Sequence, residues 1–328
     1  MFNLVLQFVL LASVVVVAGV FLARCADAIA DATGIGKTLV GVVLLAGATS
    51  LPEMSVGWTA VRMGAIDLTV GDLLGSSLCN LMILAVIDLV TRRPHRLLSR
   101  FGAAHALSGS SAIVLKCIAV LGLLSKETIE LGRVSVTSIA IIVVYLAILR
   151  LICFDELAAR KELPDTPPAH RPPLIPNLAG FIGAAVVILL VAPYLAHVAD
   201  GIAESSGLGR TFMGTLFVAS VTSLPEVVAS YTAVRMGTIE LAVGNVFGSN
   251  AFNMLILGVL DFATPGSLLA QASPAHVVTA IAGILVTSVT LLTLLYRAER
   301  RWLFIEPDAL LVAFLIVGAM GLVYVQSR

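Results

Sequence analysis

Residues 48–53 read ATSLPE, and residues 221–226 read VTSLPE. The six residues TAVRMG follow at 59–64 and again at 232–237. VGDLLGSSLCN at 70–80 is matched by VGNVFGSNAFN at 243–253, at the same spacing. Working outward, Gly34–Thr91 aligns without a gap onto Gly207–Thr264, with about half the positions identical. Shared hydrophobicity alone does not give that level of identity. The chain carries one block twice, and each copy places a proline and a glutamate inside an apolar run.

The surroundings of the two blocks decide the fold class. Of the 328 residues, 59% are hydrophobic and 12% charged, and the mean hydropathy is +1.04. A soluble domain carries about 25% charged residues, whereas a bilayer-spanning helix needs roughly 20 apolar residues in a row. Apolar runs separated by polar, glycine or proline breaks predict ten spans, near 3–23, 37–62, 67–90, 102–124, 133–153, 175–199, 210–235, 240–262, 273–297 and 307–326. The fold expected is an all-α integral membrane protein. Residues 1–154 form a first five-helix half with its repeat block at 34–91. Residues 155–174 form a Pro-rich linker, and residues 175–328 form a second half with its block at 207–264. Five is odd, so the second half enters the membrane the other way up, the inverted-repeat plan of many secondary transporters. The long apolar run from Leu4 to Leu22 lacks a basic start and is read as a retained first span, not a signal peptide.

Loop charge sets the orientation. One alternate set of loops holds fourteen Lys and Arg, the other holds five (Arg62, Lys126, Arg133, Arg210 and Arg328). The bias predicts a cytoplasmic linker and both termini outside, in the plasma membrane, which is the inner membrane if the cell is bacterial. Lys116 falls inside the fourth span, where snorkelling to an interface or pairing within the bundle is expected. Arg62, Arg235, Asp88 and Asp261 fall near span ends and are read as interface anchors.

Glu53 and Glu226 sit deep in the second and seventh spans. A carboxylate at that depth costs at least a few kcal/mol and calls for a partner. No basic residue is near in sequence, so a bound cation is the natural one. Thr49, Ser50 and Pro52 precede Glu53; Thr222, Ser223 and Pro225 precede Glu226. Proline lacks an N–H and frees carbonyls one turn upstream, around Ala46–Thr49 and Ala219–Thr222. Carboxylates, carbonyls and hydroxyls make the all-oxygen surroundings that Ca²⁺ prefers. Asp72, Ser76 and Asn80 share one helical stripe in the third span, and Asn245, Ser249 and Asn253 repeat it in the eighth. Gly71, Gly75, Gly244 and Gly248 allow close helix approach.

With TSLPE twice, and GSSLCN and GSNAFN at matching distances, the chain resembles the sodium/calcium exchanger family of the calcium:cation antiporter superfamily, in a form without a large regulatory loop. The resemblance implies ten helices in two inverted halves, with ions at mid-membrane between the second, third, seventh and eighth. It implies Glu53 and Glu226 as paired carboxylates shared by Ca²⁺ and Na⁺. Thr49 and Thr222 would give backbone carbonyls to Ca²⁺. Ala46, Ser50, Ser76, Ala219, Ser223 and Ser249 would line flanking Na⁺ positions, and Asn80 and Asn253 would complete the centre. Two departures bear on ion choice. Some members carry Asp where this chain has Asn253, and the family's first Gly-Asn is Gly71–Asp72 here. Asp72 and Asn245 are placed behind the ligands, as supports.

The expected activity is Ca²⁺/Na⁺ antiport by alternating access, with H⁺/Ca²⁺ antiport as the alternative. The lining serines favour the first, because a proton needs no extra oxygen ligands. A passive channel lacks a selectivity-filter loop. A membrane scaffold leaves the duplicated carboxylates unexplained. No enzyme activity and no cofactor are expected: there is no P-loop, no HExxH pair among the five histidines, and no CxxC among Cys25, Cys79, Cys117 and Cys153. With zero net charge there is no basic field for nucleic acid. Membrane lipid and the transported cations are the expected partners, and no obligate protein partner is evident.

Overall fold

The structure is a computed structural model that describes residues 2–90, 102–126, 130–131, 134–161, 172–205, 219–295 and 307–326. Helix α1 runs from Phe2 to Thr33, ten residues past its expected end, because no helix breaker intervenes before Gly34 at φ +66°. The second span is broken. It comprises α2, Lys37–Thr49, and α3, Leu51–Arg62, bent by 42° at the junction. Then follow α4 (Ile66–Val90), α5 (Gly102–Ser125), α6 (Val136–Lys161), α7 (Leu174–Ser205), α8 (Leu224–Met236), α9 (Ile239–Leu260), α10 (His276–Leu295) and α11 (Pro307–Gln326). Residues 219–222, just before α8, are helical as well. A two-residue antiparallel pair, β1 (Glu130–Leu131) with β2 (Val134–Ser135), joins α5 to α6 and is a small exception to the all-α expectation. Helix α6 continues past its expected end at 153 to Lys161, since DELAARK favours helix and the first proline is Pro164.

Among the described residues seven helices are long and apolar enough to cross a membrane, and the bent α2–α3 pair adds an eighth. The expected seventh span falls partly on residues 206–218, outside the described residues. The chain is a multi-pass membrane protein. Helices α4 and α9 are the interior pair, with 78% and 72% of their apolar windows buried against 17% for α1 and α7. Helix α1 packs along α7 and α8, and α5 packs against α10 and α9.

Glycine fixes two features. Gly64 and Gly237, equivalent in the two blocks, have φ +73° and +88° and end α3 and α8. Ala65 N–H then donates to Ala60 O and Thr238 N–H to Ala233 O, both at 2.9 Å, the closing bond of a Schellman turn. The other feature is the crossing of α2 over α9. A Cβ on Gly41 would lie 2.6 Å from Leu241 O, one on Gly244 2.8 Å from Thr38 O, and one on Gly248 2.6 Å from Val42 Cα. Backbone meets backbone there, which only glycine permits. A π-helical turn, Gly41–Leu45, occupies α2 at this crossing.

Two charges sit where the sequence reading did not put them. Asp261 is no interface anchor: it is fully buried, and its carboxylate accepts from Ser135 N–H at 2.7 Å and Leu268 N–H at 2.6 Å. It ties the β1–β2 connection to the turn after α9. Asp261→Ala leaves two buried donors unsatisfied, at about 1–3 kcal/mol each. A fall of several degrees in the melting temperature in detergent is expected, and an unchanged melt would contradict this role. Lys116 does not reach an interface either. It is fully buried, its Nζ has no hydrogen-bond partner among the described residues, and it lies against Gly283 of α10. Arg62 does fit an interfacial place, with its guanidinium 5.3 Å from the Trp58 ring centroid. The Asp88 side chain lies outside the described residues.

Candidate cation site

The site is built on two broken helices. Ser50 at φ −86°, ψ 8° and Ser223 at φ −78°, ψ 7° interrupt the chain at equivalent points. Pro52 and Pro225 then occupy the first turn of α3 and α8, where a missing N–H is harmless. The ladder crosses each break twice. Ser50 N–H donates to Ala46 O at 3.0 Å and Met54 N–H to Ser50 O at 3.2 Å. In the second block Ser223 N–H donates to Ala219 O and Val227 N–H to Ser223 O, both at 3.1 Å. No backbone N–H across the break bonds the carbonyls of Gly47, Ala48 or Thr49 among the described residues. Ala46 O also lies 3.3 Å from the Thr49 hydroxyl, and Ala219 O 3.1 Å from the Thr222 hydroxyl. The freed carbonyls therefore run from Gly47 to Thr49, while Ala46 O and Ala219 O are held by the backbone N–H of Ser50 and Ser223.

The breaks place Glu53 and Glu226 in the first turn of the half-helices α3 and α8. Unpaired N–H groups and the helix dipole favour negative charge at such an end. Both glutamates are 0% exposed. The hydrogen bonds then run reciprocally between the two blocks. The Ser50 hydroxyl donates to Glu226 Oε1 at 3.3 Å, and the Ser223 hydroxyl to Glu53 Oε1 at 3.4 Å. The Thr49 hydroxyl donates to Asn245 Oδ1 at 3.2 Å and lies 3.4 Å from the Ser249 hydroxyl, while Thr222 donates to Asp72 Oδ1 at 3.4 Å. Residue i bonding j while the equivalent of j bonds the equivalent of i is the mark of a two-fold relation.

Around these bonds lies a set of buried oxygens without a hydrogen-bond partner among the described residues: Glu53 Oε2, Glu226 Oε2, Ser76 Oγ, Asn80 Oδ1, Asn253 Oδ1 and Asp72 Oδ2. Unsatisfied acceptors at this depth are expensive. A desolvated cation would satisfy them together. Among the described residues no three His, Cys, Asp or Glu side chains are grouped closely enough to hold a metal ion. The unsatisfied acceptors are thus carboxylate oxygens with amide and hydroxyl oxygens, a set suited to hard cations.

Two polar residues were missed from sequence. Asn250 Oδ1 accepts from Asn80 Nδ2 at 3.1 Å, and Ser230 Oγ accepts from Asn245 Nδ2 at 3.0 Å. Their signal was a break in the repeat, since Ser77 and Gly57 stand at the equivalent places. An apolar cleft of about 470 Å³ between α4, α8 and α11, walled by Met82, Ile83, Val86 and Val227, ends at Ser223 and Cys79 beside the site.

Known proteins share its sequence and its fold. The inner membrane protein YrbG of Escherichia coli (strain K12) is 32% identical over 246 residues, 72% of this chain and 72% of that protein. The sodium/calcium exchanger MaX1 of Methanosarcina acetivorans is 40% identical over 86 residues, 26% of this chain and 25% of that one. A structure of the sodium-calcium exchanger NCX_Mj has the same fold, with a TM-score of 0.72 at 19% identity, covering 97% of both chains. The sodium/calcium exchanger protein family matches residues 3–154 and 176–323, so the chain belongs to that family.

Proposed function

We propose that the protein is a secondary antiporter that exchanges Ca²⁺ for Na⁺ across the plasma membrane. One observation carries the reading. Two fully buried glutamates each spend one oxygen on a serine of the opposite block and keep the other without a donor among the described residues. A single Ca²⁺ neutralises that pair and collects six to eight oxygens from it, from Asn80 and Asn253, and from the Thr49 and Thr222 carbonyls. Ser50, Ser76, Ser223 and Ser249, with the turns at Ala46 and Ala219, line the flanking Na⁺ positions. Ten spans in two inverted halves, 1–154 and 175–328, with a cytoplasmic linker at 155–174 and both termini outside, fit the reciprocal bonds and the loop charges. Each glutamate bridges to the other half, so a rocking of the halves alters both at once and opens the site to alternate sides.

Reconstituted vesicles with imposed gradients test the reading. Ca²⁺ uptake is expected to follow an outward Na⁺ gradient. With three Na⁺ exchanged for each Ca²⁺ it should also respond to potential, at about 2.3 kcal/mol per charge per 100 mV. Uptake driven by a pH gradient without Na⁺ would replace this reading with proton antiport.

A further inference from the structure

The two central asparagines are held in different ways. Asn80 and Asn253 occupy equivalent positions in α4 and α9, and both are fully buried. In both, the side-chain oxygen has no hydrogen-bond partner among the described residues. An amide has a donating end and an accepting end, so where its nitrogen goes decides where its oxygen points. Asn253 Nδ2 donates to the main-chain carbonyl of Leu73 at 3.4 Å. A main-chain carbonyl only accepts, so the backbone of α4 fixes the orientation of Asn253. Asn80 Nδ2 donates instead to Asn250 Oδ1 at 3.1 Å, from one half of the chain to the other. Its orientation is set by a side chain that has a nitrogen of its own to offer.

The repeat is broken at this partner. The equivalent of Asn250 is Ser77, whose hydroxyl turns back to Leu73 O at 3.2 Å within its own helix. Stability does not account for the asparagine. Asn250 is 0% exposed, and its Nδ2 has no partner among the described residues. A buried donor left open is costly, and apolar side chains at the two positions would avoid that cost. What the pair achieves is direction. With both amides turned over, Asn250 would donate to Asn80, and Asn80 would aim N–H groups into the site in place of an oxygen. Ca²⁺ takes oxygen ligands, so only one of the two arrangements serves it.

Resting on the reading of the site as a Ca²⁺ site, we propose that Asn250 is a positioning residue: by accepting from the Asn80 amide it aims the Asn80 carbonyl oxygen at the central cation. It touches no ion itself. It bears on Ca²⁺ at the centre more than on Na⁺, whose flanking positions are lined by serines.

Equilibrium binding of radiolabelled Ca²⁺ to the purified protein in detergent, with Na⁺ as competitor, tests this without depending on the coupling ion. Asn250→Ala removes the acceptor. Groups behind a metal ligand typically account for about 10–100-fold in affinity, so the Ca²⁺ dissociation constant should rise about tenfold or more, and the Na⁺ inhibition constant by less than about threefold. Asn80→Ala should cause a loss of similar size. The double variant should lose no more than Asn80→Ala alone, because Asn250 acts only through Asn80. A melting curve establishes folding, and Asn250→Leu, which keeps the space filled, is a second variant with the same expected loss. Unchanged Ca²⁺ affinity in a folded variant, losses that add in the double variant, or equal losses of Ca²⁺ and Na⁺ affinity would each overturn the proposal. So would loss of folding in both variants, which would make Asn250 a structural residue. Absence of Ca²⁺ binding by the unmodified protein would overturn the calcium reading, and this role with it.

Discussion

Glu53→Gln and Glu226→Gln should each reduce Ca²⁺ uptake by roughly 10²–10⁴-fold while leaving a folded protein in the membrane. The amide has the size of the carboxylate and can still accept from Ser223 or Ser50. It carries no charge, so the pair keeps only half the negative charge it holds for a divalent cation, and removing one partner of a buried charge set costs roughly 3–5 kcal/mol. At about 1.4 kcal/mol per tenfold, that is the stated range. Both variants should behave alike, since the two residues hold equivalent positions in the repeat. Radiolabelled Ca²⁺ uptake by reconstituted protein gives the measurement. Flux within tenfold of the unmodified protein in either variant would place the ion elsewhere.

The second large effect concerns assembly. Gly248→Val would put a branched side chain where α2 and α9 touch through their backbones. Even its first carbon would meet Val42 Cα and O at 2.6 Å and Ala46 Cβ at 2.8 Å. Backbone atoms cannot rotate away as a side-chain end can. The helices must separate, and Thr49 moves away from Asn245 and Ser249. Overpacking of this kind costs about 1–3 kcal/mol where neighbours can shift, and more where they cannot. Loss of transport and of a sharp melting transition is expected. Gly183→Ala is the comparison: a Cβ there meets nothing within 4 Å, and alanine is favoured over glycine in a helix by up to about 1 kcal/mol. Equal behaviour of the two variants would mean that the crossing does not hold the site together.

The sequence made the duplicated block, the broken second span and the buried glutamates legible, because each is a local signal. Proline four residues after Ala48 disturbs a helix wherever the helix lies, and a glutamate in an apolar run needs a partner in any fold. Which carbonyls are freed was less legible. Ala46 O is taken up by the Ser50 N–H, a detail set by the dihedrals of Ser50. Long-range roles were not legible at all. Asp261 looks like a span-end charge in one dimension, and only the folded chain brings Ser135 and Leu268 to it. Asn250 gains its partner, Asn80, from the other half of the chain.

The serine–glutamate bonds run from one half to the other, and this bears on how the protein is made. When the first half leaves the ribosome, Glu53 has no Ser223 to meet, and Glu226 of the second half takes its serine donor, Ser50, from the earlier one. An acidic residue at the centre of a nascent span disfavours insertion by about 2.5–3.5 kcal/mol. Each half must therefore wait, its broken helix shielded by insertion machinery or by its own neighbours, until synthesis is complete. Maturation of the bundle is in this way tied to translation of its last third, and a truncated chain would expose its acidic helix to quality-control proteases.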